Sequence, residues 1–261
     1  MTQFPLSAHN VAFQGGRSLA LPAEVTVIVT LYNYTSVIQE ALDSVAEQTM
    51  SSIDLVVVED RSSDSSFDTA LAWMKKNHLR FESCKLIQND WNYGLATSRN
   101  IALGHVLSEY VMVLDADNTL LPTAVERLLR AVEVSGDAAA YSQLELFGEV
   151  SAVGDAGAWD PERLGRGNYI DAMALFRTLA IRQCGGYDLF EVAGWEDYDL
   201  WCKFHEQGLV ATFVPQILCR YRVHGSSMLR AETNAEIATV TSEMVRRHPW
   251  LKLPVQVGGA S

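Results

Sequence analysis

VTVIVTL, residues 25–31, is an unbroken run in which six of seven residues are β-branched. A strand with one wet face would alternate polar and apolar residues. This one does not, so it reads as a strand buried on both faces, the habit of parallel sheets. Downstream, Ser36–Gln48 carries Ile38, Ala41, Leu42 and Val45 on one stripe, and Ser36 with Gln39 has the spacing of a capping box. IDLVVV (53–58) is a second buried strand, followed by a helix over 65–76 with Phe67, Leu71 and Met74 on one face. A weaker strand at Phe81–Ile87, a helix at Leu95–Val106 and the strand YVMVL (110–114) continue the alternation. Thr123 and Glu126 are spaced to cap a helix bearing Val125, Leu128, Leu129 and Val132. Strands alternating with helices predict an α/β fold of right-handed βαβ units around a mainly parallel sheet. Ligands of such sheets sit beyond the carboxyl ends of the strands.

Beyond residue 145 the rhythm breaks. Gly148–Gly167 reads as an excursion or mobile loop, Ala172–Phe176 as a strand and Glu196–Gln207 as a helix ended by Gly208. Leu209–Val214 and Ile217–Tyr221 read as two short strands separated at Pro215, and a last helix spans Asn234–Arg247. The expected organisation is a leader over 1–22, a main domain over 23–227 with halves meeting near 145, and a C-terminal helical segment over 228–261. That last segment, with Arg246, Arg247 and Trp250, reads as a helix packed on the domain, with a peripheral membrane contact or self-association as alternatives.

The chain has 261 residues and a formal charge of −12, from 20 Lys+Arg against 32 Asp+Glu. That balance argues against a nucleic-acid partner and against an electrostatic anchor on anionic lipid. No apolar run approaches the roughly 18 residues of a membrane span, and the N-terminus lacks a secretory signal pattern, so a cytoplasmic location is expected. Cys84, Cys184, Cys202 and Cys219 contain no C-x-x-C pair and read as small buried hydrophobes.

Three strand ends carry polar groups to one edge. The first runs into Thr30-Leu31-Tyr32-Asn33-Tyr34, the second into Glu59-Asp60-Arg61-Ser62-Ser63-Asp64, and the strand at 110–114 into Asp115-Ala116-Asp117-Asn118. Two carboxylates in one tight turn repel unless neutralised, and hard oxygen ligands favour Mg²⁺ or Mn²⁺. An ordinary acidic turn has the same letters. Arg99 is a solvated helix charge or a fixed donor near a phosphate or base. Glu196 and Asp197 either favour a helix N-terminus electrostatically or include a general base, and Trp195 either stacks on a substrate or joins the core. His224 is a metal ligand, an acid/base group or a structural imidazole. No G-x-G-x-x-G or P-loop motif is present.

Taken in order, VTVIVTLYNY (25–34), LVVVEDRSSD (55–64), NYGLATSRN (92–100), YVMVLDADN (110–118), GGYD (185–188), GWEDYDLW (194–201) and YRVHGSS (221–227) resemble the inverting glycosyltransferases of family 2. The resemblance implies the GT-A fold, a Rossmann-like sheet flanked by helices with a smaller mixed acceptor-side portion. It implies a nucleotide-sugar donor, modally a UDP-sugar, held by Thr30, Tyr32, Asn33, Asp60, Arg99, Asp115, Ala116 and Asp117. Mn²⁺ or Mg²⁺ would be held by Asp115, Asp117 and His224, with Asp197 the catalytic base and Glu196 its neighbour. Trp195, Asn168 and Tyr169 are the acceptor-side candidates, for a glycan, lipid-linked or small-molecule acceptor of bacterial surface polysaccharide synthesis. Glu59 stands where the family more often has Asp, and the Q-x-x-R-W motif of processive synthases is missing, favouring addition of one or few sugars. Two other readings remain open: a sugar-phosphate nucleotidyltransferase, against which the first strand end LYNYTS lacks Gly, Lys and Arg, and a non-catalytic carbohydrate-binding module.

Overall fold

A computed structural model describes residues 8–18, 22–192, 194–224 and 236–254. Its elements in chain order are β1 (His9–Gly15), β2 (Val25–Leu31), α1 (Ile38–Ala46), β3 (Ile53–Glu59), α2 (Ser66–Asn77), β4 (Cys84–Asn89), α3 (Leu95–Gly104) and β5 (Tyr110–Asp115). There follow β6 (Thr119–Leu120), α4 (Ala124–Ser135), β7 (Ala139–Gly148), β8 (Ala152–Val153), α5 (Pro161–Leu164) and β9 (Ala174–Arg177). Then come α6 (Thr178–Gln183), α7 (Glu196–Glu206), β10 (Ala211–Val223) and α8 (Ile237–Arg247).

Every residue of β2 and β3 is buried. Alternate residues feed two separate cores: Val25, Val27, Val29 and Leu31 pack with α1, α2 and α4, while Ile28, Val56 and Val58 pack beneath α3 and α7. The sheet order is β1-β4-β3-β2-β5-β9-β7-β10-β6, with β8 beside β7. Strands β4, β3, β2 and β5 are parallel. The chain turns to one side of β2 and then to the other, so β2 and β5 flank the switch point where such sheets open a crevice. Antiparallel β9 between β5 and β7 adds the mixed half.

Several expectations are corrected. Residues 9–15, read as part of a leader, form β1 and pair antiparallel with β4. This edge strand leaves most of its residues at least partly exposed, so no apolar pattern announced it. The stretch 148–167 is tied down: β8 pairs with β7, Tyr141 donates to the Gly157 carbonyl at 2.6 Å, and Asp160 caps α5. The two strands expected around Pro215 are one strand, β10, whose register against β7 shifts between Val214 and Cys219. A bulge there accommodates a residue that cannot donate to the ladder.

Neither expected capping box forms. Helix α1 starts at Ile38 with no side-chain cap, because the loop before it is held by the loop after β3. Ser62 accepts from the Asn33 amide, Ser66 from Tyr34 and Asp64 from Thr35, while Asn33 accepts from the Ser63 amide at 2.8 Å. At α4 the Val125 amide donates to the side chain of Gln48, and Glu126 accepts from Thr49.

Residues 236–254 of the C-terminal segment pack on the domain, as the amphipathic stripe of the helix required. Val240 and Met244 are buried, and Asp199 on α7 meets Lys203 at 2.9 Å and His248 at 3.1 Å. Residues 234 and 235 of the expected helix lie outside the described residues. Burial opposes the charged imidazole of His248, yet hydrogen bonds to Asp199 and Glu206 raise its pKa above the ordinary histidine value. A raised folded-state pKa gives stability that is complete below the unfolded value and lost as pH rises through the folded one. His248→Gln is therefore expected to lower the Tm more at pH 6 than at pH 9, measured by thermal denaturation at both. All four cysteines are buried and unpaired, as expected.

Candidate active site

The carboxyl end of β5 and the start of α7 meet through one buried cation. Arg99, on α3, is 2% exposed. Its Nη2 donates to Asp115 Oδ1 at 2.6 Å and its Nη1 to Glu196 Oε1 at 2.8 Å. The guanidinium also lies 5.0 Å over the Tyr187 ring. Burial alone would depress its pKa, but Asp115 and Glu196 outweigh that and raise it. Arg99 is thus a strut between β5 and α7: both terminal nitrogens are engaged within the protein, and its buried Nε has no partner among the described residues.

Asp117 lies two residues beyond Asp115, with Oδ2 2.9 Å from His224 Nε2 at the end of β10. Burial and then Asp115 push the Asp117 carboxyl above the usual carboxylate range, and His224 opposes them. Ala116 between them is core. Tyr34, quoted in the first motif but assigned no role, stands edge-on to His224 with centroids 5.8 Å apart, and burial together with the charges of Asp117 and Asp115 raises the pKa of its hydroxyl. Asp117 and His224 present an oxygen and a nitrogen to each other, a donor set that suits Mn²⁺ and, less well, Mg²⁺. Among the described residues no three His, Cys, Asp or Glu side chains gather for a metal. Beyond Asp117 and His224, a cation held here would complete its shell from other groups such as a bound substrate or water, the usual situation for Mg²⁺.

The nucleoside side is uneven. Thr30 pairs in register with both Val58 and Asp115, and its hydroxyl is buried without a partner, an unmet hydrogen bond at the head of the crevice. Tyr32 is 42% exposed and accessible. Asn33 has its carbonyl on Ser63, so it braces the loops instead of facing the crevice. Asp60 is likewise engaged: Oδ1 accepts from Asn89 at 2.7 Å and the Tyr93 amide at 2.8 Å, and Oδ2 from the Gly94 amide at 2.8 Å. Its contacts make it the anchor of the 92–94 turn. Glu59, next to it, accepts from the Ser62 amide and from Gln88.

Helix α7 opens after Gly194 (φ 117°) and Trp195 (φ 61°), a left-handed entry that is strained for tryptophan. Three acids follow, favoured by the helix N-terminus and sorted by their partners. Asp199 faces Lys203 and His248, and Glu196 faces Arg99. Among the described residues Asp197 has only neutral hydrogen-bond donors, the Tyr198 amide at 2.8 Å and Asn168 Nδ2 at 3.0 Å. Burial first, then Glu196 and Asp171, push its carboxyl up to about 7. Asn168 therefore reaches the site through Asp197. Trp195 is half-buried, edge-on to Tyr198 at 5.7 Å. Tyr169 is corrected: it is buried, with its hydroxyl between the Asp160 amide and the Ala158 carbonyl, and offers nothing to an acceptor.

One site residue belonged to no motif. Asp171 precedes β9, and burial, then Asp115, push its carboxyl up to about 7. A lone Asp between Ile170 and Ala172 carried no sequence signal beyond an acid interrupting an apolar stretch.

A Rossmann-like sheet with acids at its switch point, facing a helix-borne carboxylate, is the GT-A architecture of glycosyltransferases. The fold matches S. aureus TarS in complex with UDP-GlcNAc (TM-score 0.68, 15% identity, 89% of this chain and 68% of that one). It also matches the mannosyltransferase PcManGT of Pyrobaculum calidifontis in complex with GDP-Man and Mn²⁺ (TM-score 0.65, 19% identity, 90% and 69%). The chain belongs to glycosyl transferase family 2, whose description matches residues 26–181, more than half its length. Its relatives include a putative glycosyltransferase, EpsE, of Bacillus subtilis (26% identity, 89% of this chain and 84% of that protein). Another is the Escherichia coli UDP-Glc:alpha-D-GlcNAc-diphosphoundecaprenol beta-1,3-glucosyltransferase WfaP (23%, 78% and 79%). The family resemblance and the fold class expected from sequence are borne out. Among the described residues no helix is long and apolar enough to cross a membrane.

Proposed function

We propose that this glycosyltransferase moves a sugar from a nucleoside-diphosphate sugar, a UDP-sugar first among them, to an acceptor hydroxyl with inversion at the anomeric carbon. The observation that carries this reading is Arg99, whose two hydrogen bonds hold the Asp115–Asp117 turn against the helix that presents Asp197. Thr30 and Tyr32 receive the nucleoside, and Asp60 and Asn33 act on that pocket by fixing the loops around it. Asp117 and His224, with Asp115 beside them, hold Mn²⁺ or Mg²⁺, which when bound supplies neutralising charge to the departing diphosphate. Asp197 takes the proton of the acceptor hydroxyl as it attacks the face opposite the leaving group. Its neutral hydrogen-bond partners and raised pKa suit a base working near neutral pH. The acceptor is a glycan, a lipid-linked sugar or a small molecule of bacterial surface-polysaccharide assembly, supported by relatives such as WfaP.

The test incubates the protein with a panel of nucleotide sugars and Mn²⁺ or Mg²⁺ and measures the phosphate product. Release of nucleoside diphosphate is expected, whereas pyrophosphate would indicate nucleotidyl transfer and binding without turnover a non-catalytic module. Asp117→Ala is expected to remove the metal dependence of donor binding measured by calorimetry. Metal-dependent binding that survives in the variant would move the cation elsewhere.

A further inference from the structure

Asp171 lies where the transferred sugar must pass. Strands β5 and β9 pair antiparallel, with Tyr110 opposite Arg177 and Met112 opposite Leu175. Because β9 runs antiparallel to β5, residues 171–173, just before its first residue Ala174, lie toward the carboxyl end of β5 that carries the acidic turn. Asp171 and Asp197 also act on one another electrostatically, as do Asp171 and both carboxylates of the turn, so it lies close to the turn and to the base. Its Oδ1 accepts from the Met173 amide at 2.8 Å, which fixes the carboxylate plane. Among the described residues Oδ2 accepts no hydrogen bond, and the half-buried side chain leaves it open to a ligand or to water. Two cations at this end of the sheet are engaged: Arg99 by Asp115 and Glu196, and Arg222 by Glu40 and the Asp117 carbonyl.

The geometry points to Asp171 as the side chain that accepts hydrogen bonds from ring hydroxyls of the donor's sugar, and to a neutral hydroxyl-bearing sugar, not a uronic acid, as the donor class. This rests on the glycosyl-transfer reading above. The sugar of a donor whose diphosphate sits at Asp117 and whose anomeric carbon faces Asp197 lies between those two groups, and Asp171 lies close to both. Hydroxyls supply the donors Oδ2 lacks. A sugar carboxylate would instead face Asp115, Asp171, Asp197 and Glu196, with the Arg99 guanidinium already bridging two of them, and like-charge contacts of this kind reject a ligand.

The test is calorimetry in Mn²⁺ with UDP, UDP-glucose, UDP-galactose, UDP-GlcNAc, UDP-glucuronate and GDP-mannose, on the wild type, Asp171→Ala and Asp171→Asn. Asp171→Ala is expected to weaken the preferred neutral donor about tenfold while leaving its nucleoside diphosphate within about twofold. Asp171→Asn, which keeps an acceptor oxygen, recovers part of that loss and narrows the discrimination against UDP-glucuronate. Unchanged donor affinity in Asp171→Ala, equal losses for UDP and donor, or UDP-glucuronate as the best ligand would each overturn the assignment. A wild type that binds a neutral donor through Asp171 but never releases nucleoside diphosphate would sink the transfer reading and leave this one standing. Failure to bind any member would overturn both.

Discussion

Asp197→Asn is expected to lower kcat by about 10²–10⁴-fold, the usual contribution of a positioned general base. Donor affinity should stay within about twofold, because Asp197 meets the acceptor proton and makes no contact with the nucleotide in this scheme. The asparagine keeps the size of the side chain and the bond from the Tyr198 amide, so the fold is not at stake. The pH profile separates this role from a structural one. Burial and the carboxylates of Glu196 and Asp171 raise the Asp197 pKa to about 7, and only the ionised form can take a proton. The rate should fall as pH drops through about 7 in the wild type, and that limb should vanish in Asp197→Asn. A variant with normal turnover would move the base elsewhere.

Arg99→Ala should be the most damaging change to the scaffold. Its removal leaves Glu196, 8% exposed, and Asp115 facing one another without the cation that links them. Breaking a buried ion pair by deleting one partner costs about 3–5 kcal/mol, which urea denaturation reads directly. Turnover should fall about 10²-fold beyond what the unfolded fraction explains, because the turn holding Asp117 and the helix holding Asp197 lose their common reference. Arg99→Lys retains the charge and should recover part of the stability. It should recover little of the rate, since one ammonium cannot reproduce the two-pronged contact of a planar guanidinium. Full activity in Arg99→Lys would reduce the strut to a simple counter-charge.

The strands were legible because burial on both faces leaves an unmistakable trace: VTVIVTL and IDLVVV have no polar face to hide. The strand-end rule then located Thr30, Asp115 and Asp117, and the acids at the start of α7 were legible as an acidic helix opening. What the letters could not convey was which partner each polar group would take. Asp60, Asn33 and Arg99 share motif positions with Tyr32 and Asp117, yet the first three are engaged within the protein, through contacts 16 to 97 residues apart in the chain. At α4 the capping box failed for the same reason: Gln48, from the loop after α1, satisfied an amide in the first turn that Thr123 was expected to serve. Strand β1 was invisible because its binding is backbone pairing with little burial. Asp171 was invisible because the register of an antiparallel neighbour, not any local pattern, carries it into the site.

The most direct measurement is a crystal structure of the protein with a nucleotide sugar and Mn²⁺, read by the anomalous signal of the metal. The expected result is one Mn²⁺ touching Asp117, His224 and the diphosphate, with the anomeric carbon turned toward Asp197. A nucleotide bound away from the ends of β2 and β5, or a sugar turned away from Asp197, would contradict the account.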